Sequence, residues 1–457
     1  MKKLFTACAV VVALLLIAPW GFGKLARRHV DHGIDRLVEE MPYLTIVKRD
    51  YDSGWFRSEQ EVTFEVLSDL IPAAGAVLKE KSLKPPRFTI RNEILHGPVL
   101  WPYGLGAARV DTRIVWGAEL NLALFKTFGD DRPLLINTQV GFLGGSTTTV
   151  SSKARTIEPD EGGRLSWDEF EFVVHFSRDG DHMSLEGGWP RMEVESANGK
   201  KFEMRGMTAN GSAKRIAGEI FDTDVKFGLE SVRIEDGRES IEAKDIEYVI
   251  ETENRGEYLD YSFRFGTGKI DLGEIALLET HYDFSLRRLH AASLDKLIVA
   301  MKRSYSKTRP LPDADVEIAE YRRLILGLLE HDPEFVIDRI NLVTKSGDGT
   351  IKGVARFGNV VEADLEEGAK PLLAKLEANI DIDIAETLIE ELGGNASLVE
   401  TAVTGGYAER REGRMVSKIE YRHGDLKING KSQGIPGVGG PSPAAHSESI
   451  AEEMPPQ

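Results

Sequence analysis

His29 and His32 stand three residues apart, a spacing at which two imidazoles on one helix face could share a metal. Two imidazoles alone do not complete a coordination shell, and the pair reads as a solvated face. The remaining histidines form no HExxH or HxH pattern, and His281 and His290 flank a strand–helix junction that suggests no ligand set. Cys8 is the only cysteine, so the rest of the chain has no thiolate nucleophile, disulfide or cysteine-ligated metal. No Gly-x-Ser-x-Gly elbow, phosphate loop or dinucleotide fingerprint occurs. Gly144-Gly145-Ser146 lacks the lysine of a phosphate loop, and Ser346-Gly347-Asp348-Gly349 lacks the further ligands of a calcium loop. Neighbouring acids such as Glu39-Glu40 and Glu366-Glu367 are what chance gives a chain with 74 carboxylates, so no glycosidase pair stands out. The expectation is a protein that binds rather than catalyses, with no catalytic residue, metal or cofactor.

The elements that would carry such a role begin with a membrane address. Lys2 and Lys3 precede an uncharged run over 4–23, and Lys24, Arg27 and Arg28 follow it. Twenty helical residues at about 1.5 Å each reach roughly 30 Å, the thickness of a bilayer's hydrocarbon core. Gly21-Phe22-Gly23 is a poor cleavage site, so 1–23 is expected to stay as a signal-anchor, with removal as the alternative. The expected location is the bacterial inner membrane, with a single pass and the bulk of the chain in the periplasm. A formal net charge of −17 without a basic patch excludes a nucleic-acid partner.

After the anchor, Leu25, Val30, Ile34, Leu37 and Val38 predict a helix over 24–41 that Pro42 ends. Alternating strands follow, and 161–275 reads as a long β-meander with one apolar and one charged face. Helical stripes return over about 285–306 and 314–330, with further helices at 383–392 and 396–405 (together 383–405). The last strand pair is 415–421 and 425–429, joined by Arg422-His423-Gly424. The expected fold is α+β and β-rich: an N-terminal transmembrane helix, then an antiparallel meander with interspersed helices packed against it. The body spans 24–433, and the Gly-, Pro- and Ser-rich 434–457 predicts a disordered tail. Three strands run directly into leucine-rich helical starts, at 118–124, 282–289 and 379–388. They suggest a duplicated strand–helix unit capped by Asn, Asp or Ser.

Three motifs are more distinctive: Tyr51-Asp52-Ser53-Gly54-Trp55-Phe56-Arg57-Ser58, His96-Gly97-Pro98, and Tyr421-Arg422-His423-Gly424-Asp425 running on to Lys431. In order and spacing they resemble the YdgA-like bacterial family of uncharacterised function. The resemblance implies an inner-membrane protein with a periplasmic body and supplies no catalytic residues. In architecture alone the chain also resembles AsmA-like envelope proteins, whose β-rich bodies expose an apolar groove to lipid. Physically the motifs read as structure. Gly54 is expected to take a positive φ that turns Trp55 and Phe56 inward, and His96-Gly97-Pro98 ends a strand. These six residues are the candidate binding motif. The function expected is a non-enzymatic single-span envelope protein that binds itself or another envelope protein. The alternative is a carrier of lipid or another apolar ligand in a groove of the sheet, and an envelope hydrolase is the remaining reading.

Overall fold

Alternation of apolar and charged residues governs nearly the whole chain, and in the computed structural model it becomes one continuous antiparallel sheet. The structure describes residues 2–41, 43–66, 87–116, 133–158, 162–237, 239–273, 275–305, 314–366 and 369–433, with only the helical backbone for 2–17. The disordered-tail expectation for 434–457 and the first strand–helix unit at 118–124 lie outside these residues.

The first strands are β1 (Leu44–Ser53), β2 (Arg57–Val66), β3 (Arg87–His96), β4 (Ala108–Trp116), β5 (Leu135–Val140) and β6 (Ser146–Ser152). Short β7 (Arg155–Ile157) and β8 (Arg164–Trp167) precede β9 (Phe170–Phe176). The long strands are β10 (His182–Glu195), β11 (Lys201–Ala217), β12 (Ile220–Asp236), β13 (Glu239–Arg255), β14 (Tyr258–Thr267) and, after the two-residue β15 (Ile270–Asp271), β16 (Ala276–His290). The chain closes with β17 (Glu334–Thr344), β18 (Asp348–Phe357), β19 (Leu376–Ala385), β20 (Glu409–Arg411), β21 (Arg414–Arg422), β22 (Asp425–Ile428) and β23 (Lys431–Gln433).

Sequence neighbours are hydrogen-bonded neighbours almost throughout. The exceptions are local: β9 pairs with both β6 and β10, β8 pairs with β10 beyond the end of β9, and β15 continues the column of β14 between β13 and β16. Near the end β19 pairs directly with β21. Strands β1 and β23 each pair with one neighbour. Hairpins close on residues suited to a left-handed backbone: Gly256, at φ +81°, donates its N–H to Asn254 Oδ1 at 3.0 Å.

Helix α1 (Lys2–Glu40) is continuous through Pro19 and packs on β1, β3 and β4. Ala26 and Ile34 are buried there, with Val30, Leu37 and Val38 beside them, whereas Leu25 faces solvent. Among the described residues no helix is long and apolar enough to cross a membrane, and most of the run expected to do so falls on 2–17. Helices α2 (Ala291–Tyr305) and α3 (Ala314–Leu329) pack on each other and at one end of β12 and β16. The helix expected from 285 starts at 291 because Leu286 and Leu289 belong to β16. Two short helices, α4 (Glu362–Glu366) and α5 (Ala369–Lys375), precede β19. They are followed by α6 (Glu386–Glu391) and α7 (Ala396–Thr404). Contrary to expectation, α6 begins at Ala385 without a side-chain cap, while Asn395 Oδ1 caps α7 by accepting from Leu398 N–H.

The buried core is divided into small clusters. Two lie under α1, one surrounds Trp167 and Phe170, and one joins Ile220, Leu259 and Leu289 to α2 and α3.

Candidate functional site

Register turns the alternation of single strands into rows that cross the sheet. One row runs Val225, Ile250, Phe263, Phe284, Ile337, Gly353, Ile380, Ile419 and Ile428, from β12 to β22. A second runs parallel to it through Phe227, Tyr248, Phe265, Tyr282, Ile340, Ile351 and Ile382. β-Bulges in β16–β17 and β17–β18 keep both rows on one face. Aromatic neighbours stack across strands, with ring centroids 6.5 Å apart for Phe227–Tyr248 and 6.2 Å for Phe265–Tyr282.

These side chains shield one another's flanks but not their tips. Of both rows only Ile428 is buried, and Tyr282 remains 39% and Phe265 37% exposed. Helices α2 and α3 cover the end near Leu259 and Leu289. At the other limit α6 and β17–β19 flank an open, apolar hollow of about 330 Å³, lined by Ile340, Ile351, Ile384 and Leu388 among others. Between these limits the described residues place no second layer on the face. A contiguous apolar surface of this extent is unusual for a protein that meets only water.

The opposite face is a ladder of ion pairs. Arg191 meets Glu203 at 2.8 Å, Arg233 meets Glu242 at 2.8 Å, Arg264 meets Glu251 at 2.6 Å and Arg339 meets Asp283 at 2.9 Å. Hydrogen bonds from Arg233 and Arg264 hold the Glu242 and Glu251 carboxyls below the usual carboxylate range. Val249 is buried on this side, beneath the alkyl stems of its register partners Lys226 and Arg264. Exposed pairs of this kind add little stability, but they make the face hydrophilic and leave the other as the only apolar one.

The first row continues upstream through Gly211, Leu185, Val174, Thr148, Thr138 and Val110 to Ile94, which is fully buried under α1. Helix α1 thus occupies one end of the same face. Where the helix leaves the face, a cavity of about 410 Å³ opens between His29, His32 and Arg36 of α1 and Thr112, Thr138 and Thr148 of the strands. Burial, and next the neighbouring His32, lower the His29 pKa.

The helix is tied down by a buried polar chain that sequence reading did not single out. Gln60 Nε2 donates to Asp31 Oδ1 at 2.8 Å, Asn92 Nδ2 to Gln60 Oε1 at 2.9 Å, and Thr112 Oγ1 to Asn92 Oδ1 at 2.8 Å. Gln60 and Asn92 alternate with Val62 and Ile94 on their strands and so share the face under the helix. Only the register could have revealed them as one chain.

The candidate motif residues gather at this junction, in roles that differ from those expected. His96 is buried, with Nδ1 3.1 Å from the Trp55 carbonyl and Nε2 3.0 Å from Ser58 Oγ. A carbonyl only accepts, so Nδ1–H donates and Nε2 accepts from the Ser58 hydroxyl. Gly23 of α1 lies on the imidazole, since a Cβ there would fall 2.5 Å from His96 Cε1. Gly54 does not take a positive φ; it is required because a Cβ would fall 2.3 Å from the Arg57 carbonyl oxygen, which accepts its N–H at 2.9 Å. Trp55 and Phe56 point outward and are more than half exposed, against the expectation that they enter the core. Tight turn geometry fixes the backbone at Gly54 but not the side to which the next two side chains project. Gly97 packs against the carbonyls of Gly106 and Ala107, and Pro98 O accepts from Gly106 N–H at 3.2 Å.

Burial depresses the His96 pKa, so the folded state favours the neutral ring. That contribution is complete above the ordinary histidine value near 6.5 and is lost as the pH falls below it and through the folded pKa. The melting temperature of the protein should therefore fall between pH 7 and pH 5 more steeply than that of His96→Gln. Parallel curves would show that His96 is not the group responsible.

The other histidines stay apart from this site. His175 Nδ1 lies 2.9 Å from Thr147 Oγ1, His281 pairs with Glu279, and His290 stacks on His331 with ring centroids 3.8 Å apart. Gly424 and Gly430, at φ +83° and +77°, bracket β22.

Fold and face together describe an open, single-layer β-structure with one hydrophilic and one apolar side. The chain belongs to the family described as bacterial protein of unknown function (DUF945), whose model matches residues 1–434. It is 23% identical over 313 residues to Protein YdgA of Escherichia coli (strain K12). The match takes in 65% of this chain, which spans 58% of the length of that relative. No solved structure matches this one.

Proposed function

We propose that this protein is a non-enzymatic, single-span envelope protein of the bacterial inner membrane whose body holds lipid acyl chains along the apolar face of its sheet. The observation that carries the reading is the pair of parallel apolar rows, one from β12 to β22 and one from β12 to β19, largely uncovered and backed by ion pairs. Nine strands at about 4.8 Å spacing give a row roughly 40 Å long, enough for an extended acyl chain to lie across them. Each methylene taken out of water there contributes about 0.8 kcal/mol, without any fixed polar partner. The uncharged run over 4–23 supports attachment to a source of such chains.

A photoreactive phenylalanine analogue at Phe263 or Phe284, in the full-length protein in cells, should form lipid adducts on irradiation. The same group at Arg264, on the ion-paired face, should form few. Phe284→Asp, which puts a charge in the middle of the row, should reduce lipid recovered with the protein by about tenfold or more. Equal labelling of both faces would remove the lipid reading. Capture of a protein at Phe263 would replace it with a docking surface.

A further inference from the structure

Three loops meet α1 at the level of residues 20–26, and each exposes large apolar side chains. They are the β1–β2 turn with Trp55 and Phe56, the β3–β4 loop with Trp101 and Leu105, and the β5–β6 turn with Phe142 and Leu143. Trp101 and Leu143 are each 85% exposed and Leu105 is 66% exposed. Nothing in a water-facing loop requires such residues, and here they cluster.

The loops form one rigid collar. His96 N–H donates to Phe56 O at 2.8 Å, Ala107 N–H to Val140 O at 2.8 Å, and Gln139 Nε2 to Leu105 O at 3.3 Å. Helix α1 is part of it: Gly23 lies on His96, and the Phe22 and Phe142 rings are 5.7 Å apart. Cations stand at the same level, with Lys24 Nζ 3.9 Å from the Trp20 ring centroid and the Arg109 guanidinium 3.8 Å from that of Tyr103.

We infer that this collar is seated in the interfacial layer of the bilayer, around the point where the N-terminal helix enters it. The occupant follows from continuity. The uncharged run over 4–23 leads down the same helix into the collar, so whatever receives that run also meets the loops. Rings and aliphatic tips next to lysine and arginine match the headgroup boundary, where aromatic bodies are half-solvated and cations meet lipid phosphates. The collar holds the body at a fixed height and orientation, rather than leaving it on a free tether.

This inference rests on the anchor reading, and the test separates the two. Full-length protein carrying Cys8→Ser is labelled with an environment-sensitive fluorophore at single cysteines introduced as Val12→Cys, Trp101→Cys, Leu143→Cys or Asp236→Cys. It is reconstituted in phosphatidylethanolamine–phosphatidylglycerol vesicles containing lipids with a nitroxide near the headgroup or deep in the chain. Labels at 101 and 143 should be quenched about fivefold more by the shallow nitroxide than the label at 236, while the label at 12 is quenched by the deep one. Quenching at 12 with none at 101 and 143 above the level at 236 overturns the collar and leaves the anchor. No quenching at 12 overturns the anchor reading and the collar with it. Because 101 and 143 are exposed, unchanged melting temperatures should confirm that the labelled proteins are folded.

Discussion

Phe64→Ala should destabilise the part of the sheet under α1 by about 3–5 kcal/mol, the range for deleting a fully buried aromatic side chain. Phe64 has no exposed surface, stacks on Phe88 with centroids 5.2 Å apart, and packs with Ile34, Leu44 and Val62 between α1 and β2. The core here is a single small cluster, so few neighbours can move in to fill the space. A thermal scan of the full-length variant should show a clear drop in melting temperature. Unchanged melting would mean that α1 does not rest on the sheet at this point.

Gly97→Ala should be the most damaging of the conservative glycine changes at the junction. Its Cβ would fall 1.8 Å from the Gly106 carbonyl oxygen and 2.9 Å from that of Ala107, so backbone on both sides of the β3–β4 loop must shift. Overpacking of this kind costs about 1–3 kcal/mol, and more when backbone cannot yield. Here Gly97 N–H also donates to Ala107 O at 2.8 Å, so movement breaks a bond as well as relieving a clash. Reduced thermal stability with faster proteolysis within 97–106 is the expected result. Wild-type behaviour in both measurements would show that the loop accommodates a side chain.

Much of the fold is legible from single strands, because apolar–charged alternation over 161–275 is strong enough to survive any tertiary context. The last hairpin and the helices near 314–330 and 396–405 are legible for the same reason of clear periodicity. What alternation does not state is register. Val225, Ile250, Phe263 and Phe284 are unremarkable on their own strands and form a row only when hydrogen bonding aligns them. Register also hides the chain from Asp31 to Thr112, whose members lie far apart in sequence. The Gly54 motif was legible as a turn, but the outward direction of Trp55 and Phe56 depends on how three loops meet a helix. At Leu286 and Leu289, helical spacing of leucines was overridden by strand pairing: a bulge in the β14–β16 ladder, with Arg288 at φ +58°, separates the exposed Leu286 from Leu289, which is buried against Leu259.

The adjacency of consecutive strands has a mechanical consequence. Because most strands find their partner one short hairpin away, the helical connection from β16 to β17 being the longest exception, loop-closure entropy stays small at most steps and order can spread from one hairpin to the next. Stability then behaves as a sum of local interfaces, as it does in arrays of stacked repeats. A sheet of this kind, pulled at its two edge strands, unzips one hairpin at a time instead of giving way as a unit. Run in reverse, the same sequence of steps lets a chain that emerges one segment at a time acquire its structure in the order in which it appears.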